Sequence, residues 1–354
     1  MSNTLANLGF TPFFEASLRA LDLPDGVPGR VVAGHGRLCR VAIGHGELLA
    51  EPLGRLRRDE AGPGLPVTGD WVVVRELDER RAVVLAVLPR RTTFSRRAAG
   101  PQTREQVLAA NVDTALLVMG LDADYSPRRL ERYLVLAWDA GVRPVVLLNK
   151  SDLCDDPAAR LAGTRAVAAG APAHVVCALS GEGLDALAPE LRPGLTLALL
   201  GSSGAGKSTV VNRLVGSDLR RTAEVRGSDG TGRHTTTARE LIELPCGALL
   251  MDTPGLRELQ LWADEQALDA VFEDVGELAS RCRFRDCRHE AEPGCAVRAA
   301  AAAGSLPPER LASHAKLQRE IRHLETRVDQ RARQAQKARW KALHKRMRDF
   351  EPRG

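Results

Sequence analysis

Aromatic side chains are scarce in this sequence: Phe, Trp and Tyr together make up 4% of the 354 residues, whereas hydrophobic residues of all kinds make up 44%. Buried cores must therefore be built largely from Val, Leu and Ala. The first residues lack a basic segment followed by an apolar run, and no stretch approaches the ~18 apolar residues of a membrane helix. We therefore expect neither a secretion signal nor a membrane span.

A disulfide framework is also not supported. The seven cysteines are an odd number in a chain without an export signal, which favours a cytoplasmic protein with reduced thiols. Cys39, Cys154 and Cys246 belong to no pattern, and we expect them to be packing residues. The formal net charge of +5 only weakly indicates an acidic partner, so the placement of the charges matters more.

The chain changes character twice. Residues from about 27 to 95 contain short strand-like runs separated by Gly, Pro and Asp, which fit a five-stranded OB-type β-barrel, although another small β-domain would share the pattern. From about 101 to 265, apolar runs mostly alternate with helical stretches, as in a parallel sheet covered by helices. The remainder is helical and polar. The predicted domains are 1–95 (an N-terminal extension and the barrel), 96–265 (α/β) and 266–354 (helical).

A phosphate-binding loop is the strongest motif. The segment GSSGAGKST matches G-x-x-x-x-G-K-[ST] in full and lies between an apolar strand and a helical stretch. Backbone N–H groups and a helix N-terminus would hold phosphate there; the alternative is a chance Gly-rich turn. We expect Lys207 to reach the β- and γ-phosphates and Ser208 to ligate Mg²⁺. The predicted phosphate-binding residues are Gly201, Ser202, Ser203, Gly204, Ala205, Gly206, Lys207, Ser208 and Thr209.

The segment NKSD at 149–152 favours GTP over ATP. The Asp152 carboxylate can accept two hydrogen bonds from the N1–H and amine of guanine, a donor pair that adenine lacks. Asn149 is expected to tether the surrounding loops, and the stem of Lys150 to lie over the base. In CALS, after the next strand, Cys177 and Ala178 are predicted to form a third base loop, with the Ala178 N–H on the guanine oxygen.

Two further segments predict the switches of a GTPase. In DTPG, Asp252 would hold Mg²⁺ through water, and the Gly255 N–H would sense the γ-phosphate. In GRHTTT, between the phosphate loop and DTPG, Thr236 is the most plausible Mg²⁺ ligand; a polar surface loop is the alternative.

The order of these motifs is unusual. In an ordinary GTPase the phosphate loop precedes NKxD, but here NKSD and CALS both precede it. The same sheet can assemble from a chain that is cut and rejoined elsewhere, so the order predicts a circularly permuted P-loop GTPase domain. The switch in DTPG then leads almost directly into the C-terminal domain, which a γ-phosphate could reposition.

The segment CRFRDCRHEAEPGC predicts a metal site. Its three Cys and one His, Cys282, Cys287, His289 and Cys295, suit a closed tetrahedral Zn²⁺ site with a structural role. Scattered reduced cysteines or a redox switch are the alternatives.

Basic residues concentrate in the C-terminal tail. Residues 314–348 hold about a dozen Lys and Arg against three acidic residues, and LPRRTTFSRR at 88–97 is a second basic patch. A solvated helix face is the simpler interpretation of the tail. Contact with RNA phosphates is the interpretation that we favour, especially for KARWKALHKRMR.

These features together resemble the ribosome small-subunit-dependent GTPase A (RsgA) family. VTGDWVVV, LPRRTTFSR, AANVDTALLVMG, RRLERYL, GSSGAGKST, GRHTTT and DTPG are similar to that family's pattern, from about residue 28 onward. The resemblance implies an OB-type barrel, a permuted GTPase domain and a C-terminal helical zinc-binding domain. It also implies a GTP hydrolase that acts late in maturation of the small (30S) ribosomal subunit and binds the rRNA of that subunit. The subunit is expected to stimulate the hydrolysis of GTP. Cys177 departs from the Ser common at its position, and a monomer is our default expectation.

Hydrolysis needs a group that positions water. After Gly255 a typical small GTPase has Gln, but this chain has Leu256, so intrinsic turnover should be slow. His234 in GRHTTT is the best candidate for a catalytic residue, with Lys207 and Thr236 in support, because its ordinary pKa near ~6.5 suits a base at neutral pH. A His that packs the loop or contacts phosphate is the alternative.

Three functions stay open at this point. The first is an enzyme used as a switch on the small subunit. The second is a binding module in which nucleotide only tunes RNA affinity, an idea that Leu256 keeps alive. The third is a permuted GTPase that acts on the large subunit or another RNA.

Overall fold

The computed structural model describes residues 5–35, 38–54, 56, 64–97, 105–216, 240–252 and 265–323. The chain divides into two compact units. The first comprises Met1–Ser95 and Val107–Leu259, and the second comprises Arg96–Gln106 and Gln260–Gly354. The three domain boundaries drawn from the sequence stay a prediction.

Five strands of the first unit form a closed barrel. They are β1 (Val27–His35), β2 (Leu38–Ile43), β3 (Gly46–Pro52), β4 (Trp71–Glu76) and β5 (Arg81–Val87). Pairing runs from β1 through β2, β3, β5 and β4 back to β1, antiparallel except for β3 with β5. The barrel core consists mainly of Val, Ile, Leu and Ala side chains, as the scarcity of aromatics predicts.

The N-terminal extension caps one region of this barrel with the few aromatics available. Helix α1 (Pro12–Arg19) buries Phe14, whose ring lies 5.7 Å from the ring of the fully buried Trp71, while the Phe10 ring lies 4.8 Å from Trp71. Aromatic pairs at such distances add to the stability that burial alone gives.

Six strands form the second sheet of this unit, in the spatial order β10, β9, β8, β11, β13, β12. The strands are β8 (Thr114–Gly120), β9 (Arg143–Asn149), β10 (Ala173–Val175), β11 (Thr196–Leu200), β12 (Glu240–Glu243) and β13 (Leu249–Asp252). All neighbours are parallel except β12 with β13. The helices associated with this sheet are α2 (Pro127–Asp139), α3 (Pro157–Val167) and α4 (Lys207–Val215).

The spatial order of the sheet differs from the order along the chain. Strands β8 and β11 are hydrogen-bonded neighbours, yet β9 and β10 lie between them in sequence. Strand β11, which precedes the phosphate loop, therefore lies between β8, which comes earlier in the chain, and β13, which comes later. This is the arrangement that the permuted motif order predicts, and the predicted fold class is confirmed.

The barrel and the six-stranded sheet are joined edge to edge. Strand β1 pairs antiparallel with β12, with Ala33 opposite Glu240, and Arg40 of β2 forms an ion pair with Glu240. Strands β6 (Thr93–Arg97) and β7 (Glu105–Ala110) form a separate two-stranded sheet. Along the chain, they follow the barrel strands and precede the strands of the six-stranded sheet.

The described part of the second unit consists of helices, of a non-helical segment at 280–295, and of the ends of β6 and β7 that belong to this unit. Its helices are α5 (Glu265–Val271), α6 (Glu273–Ala279), α7 (Ala296–Ala302) and α8, which covers 308–323 of the described residues. Arg310 of α8 forms a bidentate pair with Asp274 at 2.5 and 2.7 Å and lies over the ring of Phe272. Within the described ranges, none of the helices is long and apolar enough to cross a membrane.

Candidate nucleotide site and metal centre

The phosphate-loop motif forms a turn between β11 and α4. Gly201 follows the last residue of the strand, and the helix begins at Lys207 with Gly206 as its N-cap. Ser203, Gly204 and Ser208 are exposed, while Gly201 and Ala205 are buried. The exposed backbone at a helix N-terminus is the geometry that anion binding requires.

Lys207 lies inside this loop. Its amine donates to the carbonyl oxygen of Gly201 at 2.8 Å and also to that of Ser202. The residue is only 8% exposed, so the charge is held at the centre of the loop, where phosphate oxygens would meet it.

Gly206 must be glycine for two separate reasons. Its φ of +93° lies in the left-handed region, and a Cβ there would lie 2.2 Å from Asn149 Nδ2. The base loop and the phosphate loop therefore approach so closely at this point that no side chain fits between them.

Asn149 connects three parts of the site. Its Nδ2 donates to the Ala205 carbonyl at 3.0 Å, and its Oδ1 accepts from the Ala178 N–H at 2.9 Å. The residue is 3% exposed. The Ala178 N–H, which we expected to face guanine, is thus directed at Asn149, and it would contact the base only by sharing this bond.

The remaining base-loop residues are more exposed. Lys150 has φ +64° and precedes a short 3₁₀ turn, Ser151–Leu153, that contains the exposed Asp152. The Cys177 thiol lies 3.2 Å from Asp152 Oδ1 and donates to it. Cys177 thus does for the carboxylate what a Ser hydroxyl would do, although a thiol is the weaker donor.

Three further side chains, which no sequence pattern indicated, support these loops. Arg213, on α4, donates from Nε to the Ala178 carbonyl at 3.4 Å and also contacts the Leu179 carbonyl. Asp122 and Asp124 lie in the loop after β8, between the phosphate and base loops. None belongs to a motif, and only their positions next to strand and helix ends could have indicated a role.

Several predicted residues lie outside the described part of the chain. These are His234, Thr236 and Gly255, together with Leu256 and the tail beyond residue 323. Asp252 ends β13, the strand beside β11, so its backbone lies at the same edge of the sheet as the phosphate loop.

The second unit brings the predicted metal ligands together. The donor atoms of Cys282, Cys287, His289 and Cys295 all lie within 4.8 Å of one another. The Cys282 and Cys295 sulfurs are 3.9 Å apart, and His289 Nδ1 lies 3.4 Å from the Cys295 sulfur. Zinc–sulfur bonds of about 2.3 Å in a tetrahedron place sulfurs about 3.8 Å apart, so this Cys₃His group has the spacing to hold a metal ion.

Glu292 organises the turn between two of these ligands. Its carboxylate accepts the backbone N–H groups of Arg288, Glu290 and Ala291 at 2.9 to 3.0 Å. These hydrogen bonds to the ionised form lower the pKa of Glu292 to about 2. The sequence pattern gave no indication of this role.

Comparison with known proteins gives a consistent result. The RsgA GTPase family model matches residues 87–262. A small ribosomal subunit biogenesis GTPase RsgA of Opitutus terrae is 48% identical over 98% of both chains, and one of Xylella fastidiosa strain M23 is 54% identical over 72% of this chain and 75% of its own. The crystal structure of YjeQ from Thermotoga maritima has a TM-score of 0.64 at 25% identity and covers 84% of this chain and 98% of its own. YloQ, a circularly permuted GTPase, has a TM-score of 0.58 and covers 84% of this chain and 96% of its own.

A closed barrel, a permuted parallel sheet and a phosphate-loop motif held against the NKSD and CALS loops define a circularly permuted P-loop GTPase. The similarity to relatives over almost the full length is more specific than this class. The chain belongs to the RsgA family of GTPases, and the resemblance noted in the sequence is confirmed.

Proposed function

We propose that this GTPase acts in the late maturation of the small ribosomal subunit, and that the subunit stimulates its hydrolysis of GTP. The observation that carries the proposal is the 48% identity, over 98% of both chains, to a relative named for small ribosomal subunit biogenesis. The cytoplasm, where that subunit is assembled, is the compartment that we propose.

Different residues of the nucleotide site have different roles. Asp152 selects guanine, Asn149 holds the base loops to the phosphate loop, and Lys207 neutralises charge on the phosphates. Ser208, together with Thr236 and a water-mediated contact from Asp252, would hold the Mg²⁺, which supplies further neutralisation of phosphate charge.

His234 is the catalytic group that we propose. The residue that follows Gly255 is Leu256, which cannot orient water, so we assign this role to a polar group of the GRHTTT segment at 232–237. A conformational change imposed by the subunit would bring His234 to the attacking water, which would account for the slow turnover that we expect without the subunit.

Zinc is the metal that we propose for the Cys₃His group. Three thiolates and one imidazole are soft to borderline ligands, which zinc accepts in a closed tetrahedral site. Four protein ligands leave no position for a catalytic water, so the ion would stabilise the second unit instead of participating in hydrolysis.

Contact with rRNA is proposed for the barrel, for the metal-binding region and for the basic tail. The metal-binding region presents four exposed arginines and an exposed Phe284, a combination that serves phosphate contact and base stacking. These arginines are Arg281, Arg283, Arg285 and Arg288.

The test is GTP turnover by the purified full-length protein, alone and with small subunits, large subunits or intact ribosomes. We expect strong stimulation by small subunits only. In that case His234→Ala should lose most of the stimulated rate while GDP affinity stays within about twofold, because the residue acts on the water and not on the bound nucleotide.

A binding module with incidental turnover is the second candidate, favoured by Leu256 alone. It predicts that Lys207→Ala protein still associates with and leaves small subunits as the wild type does. Absence of stimulation by any particle, with guanine nucleotide still tightly bound, would replace the first candidate with this one.

A further inference from the structure

The loop that follows β8 connects the phosphate loop to the base loop. In the sheet, β8 lies between β11, which leads into the phosphate loop, and β9, which leads into NKSD. Because these three strands are parallel, their carboxyl ends lie at the same edge. Residues 120–126 therefore start between the two loops that would hold the nucleotide.

Asp124 contacts the phosphate-loop side. Its Oδ1 accepts the hydroxyl of Ser202 at 2.5 Å, and its Oδ2 accepts the Gly120 N–H at 3.1 Å. Arg129 of α2 fixes the same carboxylate through an ion pair of 3.0 Å. The Asp124 side chain is only 14% exposed, so water competes weakly for these bonds.

The Ser202 contact affects the centre of the phosphate loop. The carbonyl of Ser202 accepts a hydrogen bond from the Lys207 amine. Asp124 therefore acts on Lys207 through Ser202. It fixes Ser202, and the Ser202 carbonyl holds the Lys207 amine, which we expect to neutralise phosphate charge.

Asp122 contacts the base-loop side. Its Oδ2 pairs with the Lys150 amine at 2.6 Å, and its Oδ1 accepts the Asp124 N–H at 3.0 Å. The Lys150 amine lowers the pKa of this carboxyl, and the Asp124 N–H adds to the effect. Gly120 allows the turn to close, since a Cβ there would lie 2.5 Å from Asp122 Oδ1.

We propose that Asp122 and Asp124 are positioning residues for guanine nucleotide binding, and that they connect Ser202 of the phosphate loop to Lys150 of the base loop. The proposal rests on the nucleotide site described above and adds a third loop to it. Neither carboxylate needs to touch the nucleotide, and a carboxylate would repel phosphate if it did. Their contribution is to hold both loops in the arrangement that the nucleotide requires.

The two contacts are expected to contribute unequally to the retention of GDP. The Asp124–Ser202 bond is charge-assisted and largely shielded, and losing it should accelerate GDP dissociation on the order of tenfold. The Asp122–Lys150 pair is about 30% exposed on both sides, and an exposed ion pair contributes less, so Asp122→Ala should change dissociation only about threefold.

A double-mutant cycle tests the stronger contact. GDP with a fluorescent N-methylanthraniloyl group on its ribose is the probe, and its dissociation rate is measured for wild type, Ser202→Ala, Asp124→Ala and the double variant, each as the full chain. Each single change should accelerate dissociation about tenfold, and the double variant should be little faster than Asp124→Ala alone. Asp124→Asn, which keeps one acceptor, should be intermediate.

Further measurements separate positioning from a merely structural role. The KM for GTP should rise while kcat at saturating GTP stays unchanged, because the residues set the loops and not the reacting phosphate. Asp185→Ala, an exposed aspartate of the 3₁₀ turn Leu184–Leu187, is the matched control and should leave dissociation unchanged.

Two results would overturn the proposal. One is a double variant whose GDP dissociation is accelerated by the product of the two single-variant factors, and the other is a Ser202→Ala protein that releases GDP at the wild-type rate. A lower melting temperature of nucleotide-free Asp124→Ala protein, with no coupling to Ser202, would assign Asp124 a structural role only. Because no ribosomal particle is used, these outcomes are independent of the proposed action on the small subunit. If the wild type bound no GDP, the nucleotide site itself would be wrong.

Discussion

At the scale of single residues, the nucleotide site depends on close approaches between loops. Asn149 occupies the space beside Gly206 and, through its own amide, holds Ala205 and Ala178. The phosphate loop, the NKSD loop and the CALS loop thus meet at one buried side chain. A change at this point should affect all three loops together.

Gly206 and Gly204 provide a matched pair for testing this idea. Both have positive φ, +93° and +86°, but a Cβ at Gly206 collides with Asn149, whereas nothing lies within 4 Å of a Cβ at Gly204. Backbone strain alone costs about 1–2 kcal/mol. Gly204→Ala should therefore weaken GDP binding by about tenfold, and Gly206→Ala by at least tenfold more.

Equilibrium titration with fluorescent GDP measures both variants, and circular dichroism checks that each is folded. Equal losses in the two variants would mean that the contact with Asn149 has no importance for the loop.

The sequence predicted the residues that share a motif, and the structure shows why it missed the others. Gly201 to Thr209 are consecutive, and their pattern follows from the backbone geometry that phosphate requires. Asp124 meets Ser202 from 78 positions away, and Arg213 meets Ala178 from 35 positions away. Such contacts depend on the order of strands in space, which no local pattern encodes.

At the scale of elements, a buried arginine connects the barrel to the GTPase sheet. Arg30 of β1 is 1% exposed and donates to the Asn111 carbonyl at 3.0 Å, to Thr196 Oγ1 at 2.8 Å, and to the Leu8 carbonyl. Its guanidinium also lies 5.6 Å from the centroid of the Trp71 ring. Burial lowers the pKa of Arg30 to about 10, so it stays charged at neutral pH.

Replacing this arginine should destabilise the first unit strongly. Arg30→Ala leaves several buried acceptors without a donor, at a cost of about 3 kcal/mol or more, which corresponds to a melting temperature lower by on the order of ten degrees. Differential scanning calorimetry of the full chain measures this shift. Arg75→Ala, at an exposed position of β4, is the control and should melt within about two degrees of wild type.

A melting temperature of Arg30→Ala close to that of the control would show that the hydrogen bonds at this junction contribute little to stability.

The barrel strands and most of the sheet could be predicted because their apolar runs are bounded by turn residues. Strand β12 could not, because its four residues, Glu-Leu-Ile-Glu, offer too short a pattern and follow a long polar segment. Its pairing with β1 joins residues about 200 positions apart, as Ala33 opposite Glu240 shows, and arises only once both sheets exist. Helix α1 was missed for a similar reason, since its packing partner Trp71 lies in the barrel.

At the scale of the whole molecule, the nucleotide site and the Cys₃His group belong to different compact units. Each unit has its own buried side chains. We therefore expect two separable unfolding transitions, of which only one depends on metal.

Metal removal should shift one transition and leave the other. A chelator, or Cys295→Ser, should lower the melting temperature of the second unit by ten degrees or more, because structural zinc contributes much of the folding energy of small metal-bound domains. GDP affinity should change less than twofold. Calorimetry and elemental analysis of the purified protein measure both points. Cys246, which we expected to be a packing residue, is instead exposed in the first unit, so Cys246→Ser is the control.

A protein that carries no metal when purified, or a chelated protein with an unchanged thermogram, would contradict the structural role of the cluster.

The permuted strand order also sets the sequence of events while the chain is being synthesised. Of the six strands of the GTPase sheet, β8, β9 and β10 leave the ribosome first, and β8 is buried at all seven of its residues. Until β11 has been translated, one edge of β8 has no partner, and an open apolar edge is a site of aggregation. Pairing of β11 with β8 therefore covers this edge. The nascent chain needs protection from aggregation while about 80 residues are translated, which is the separation of the paired residues Thr114 and Leu197.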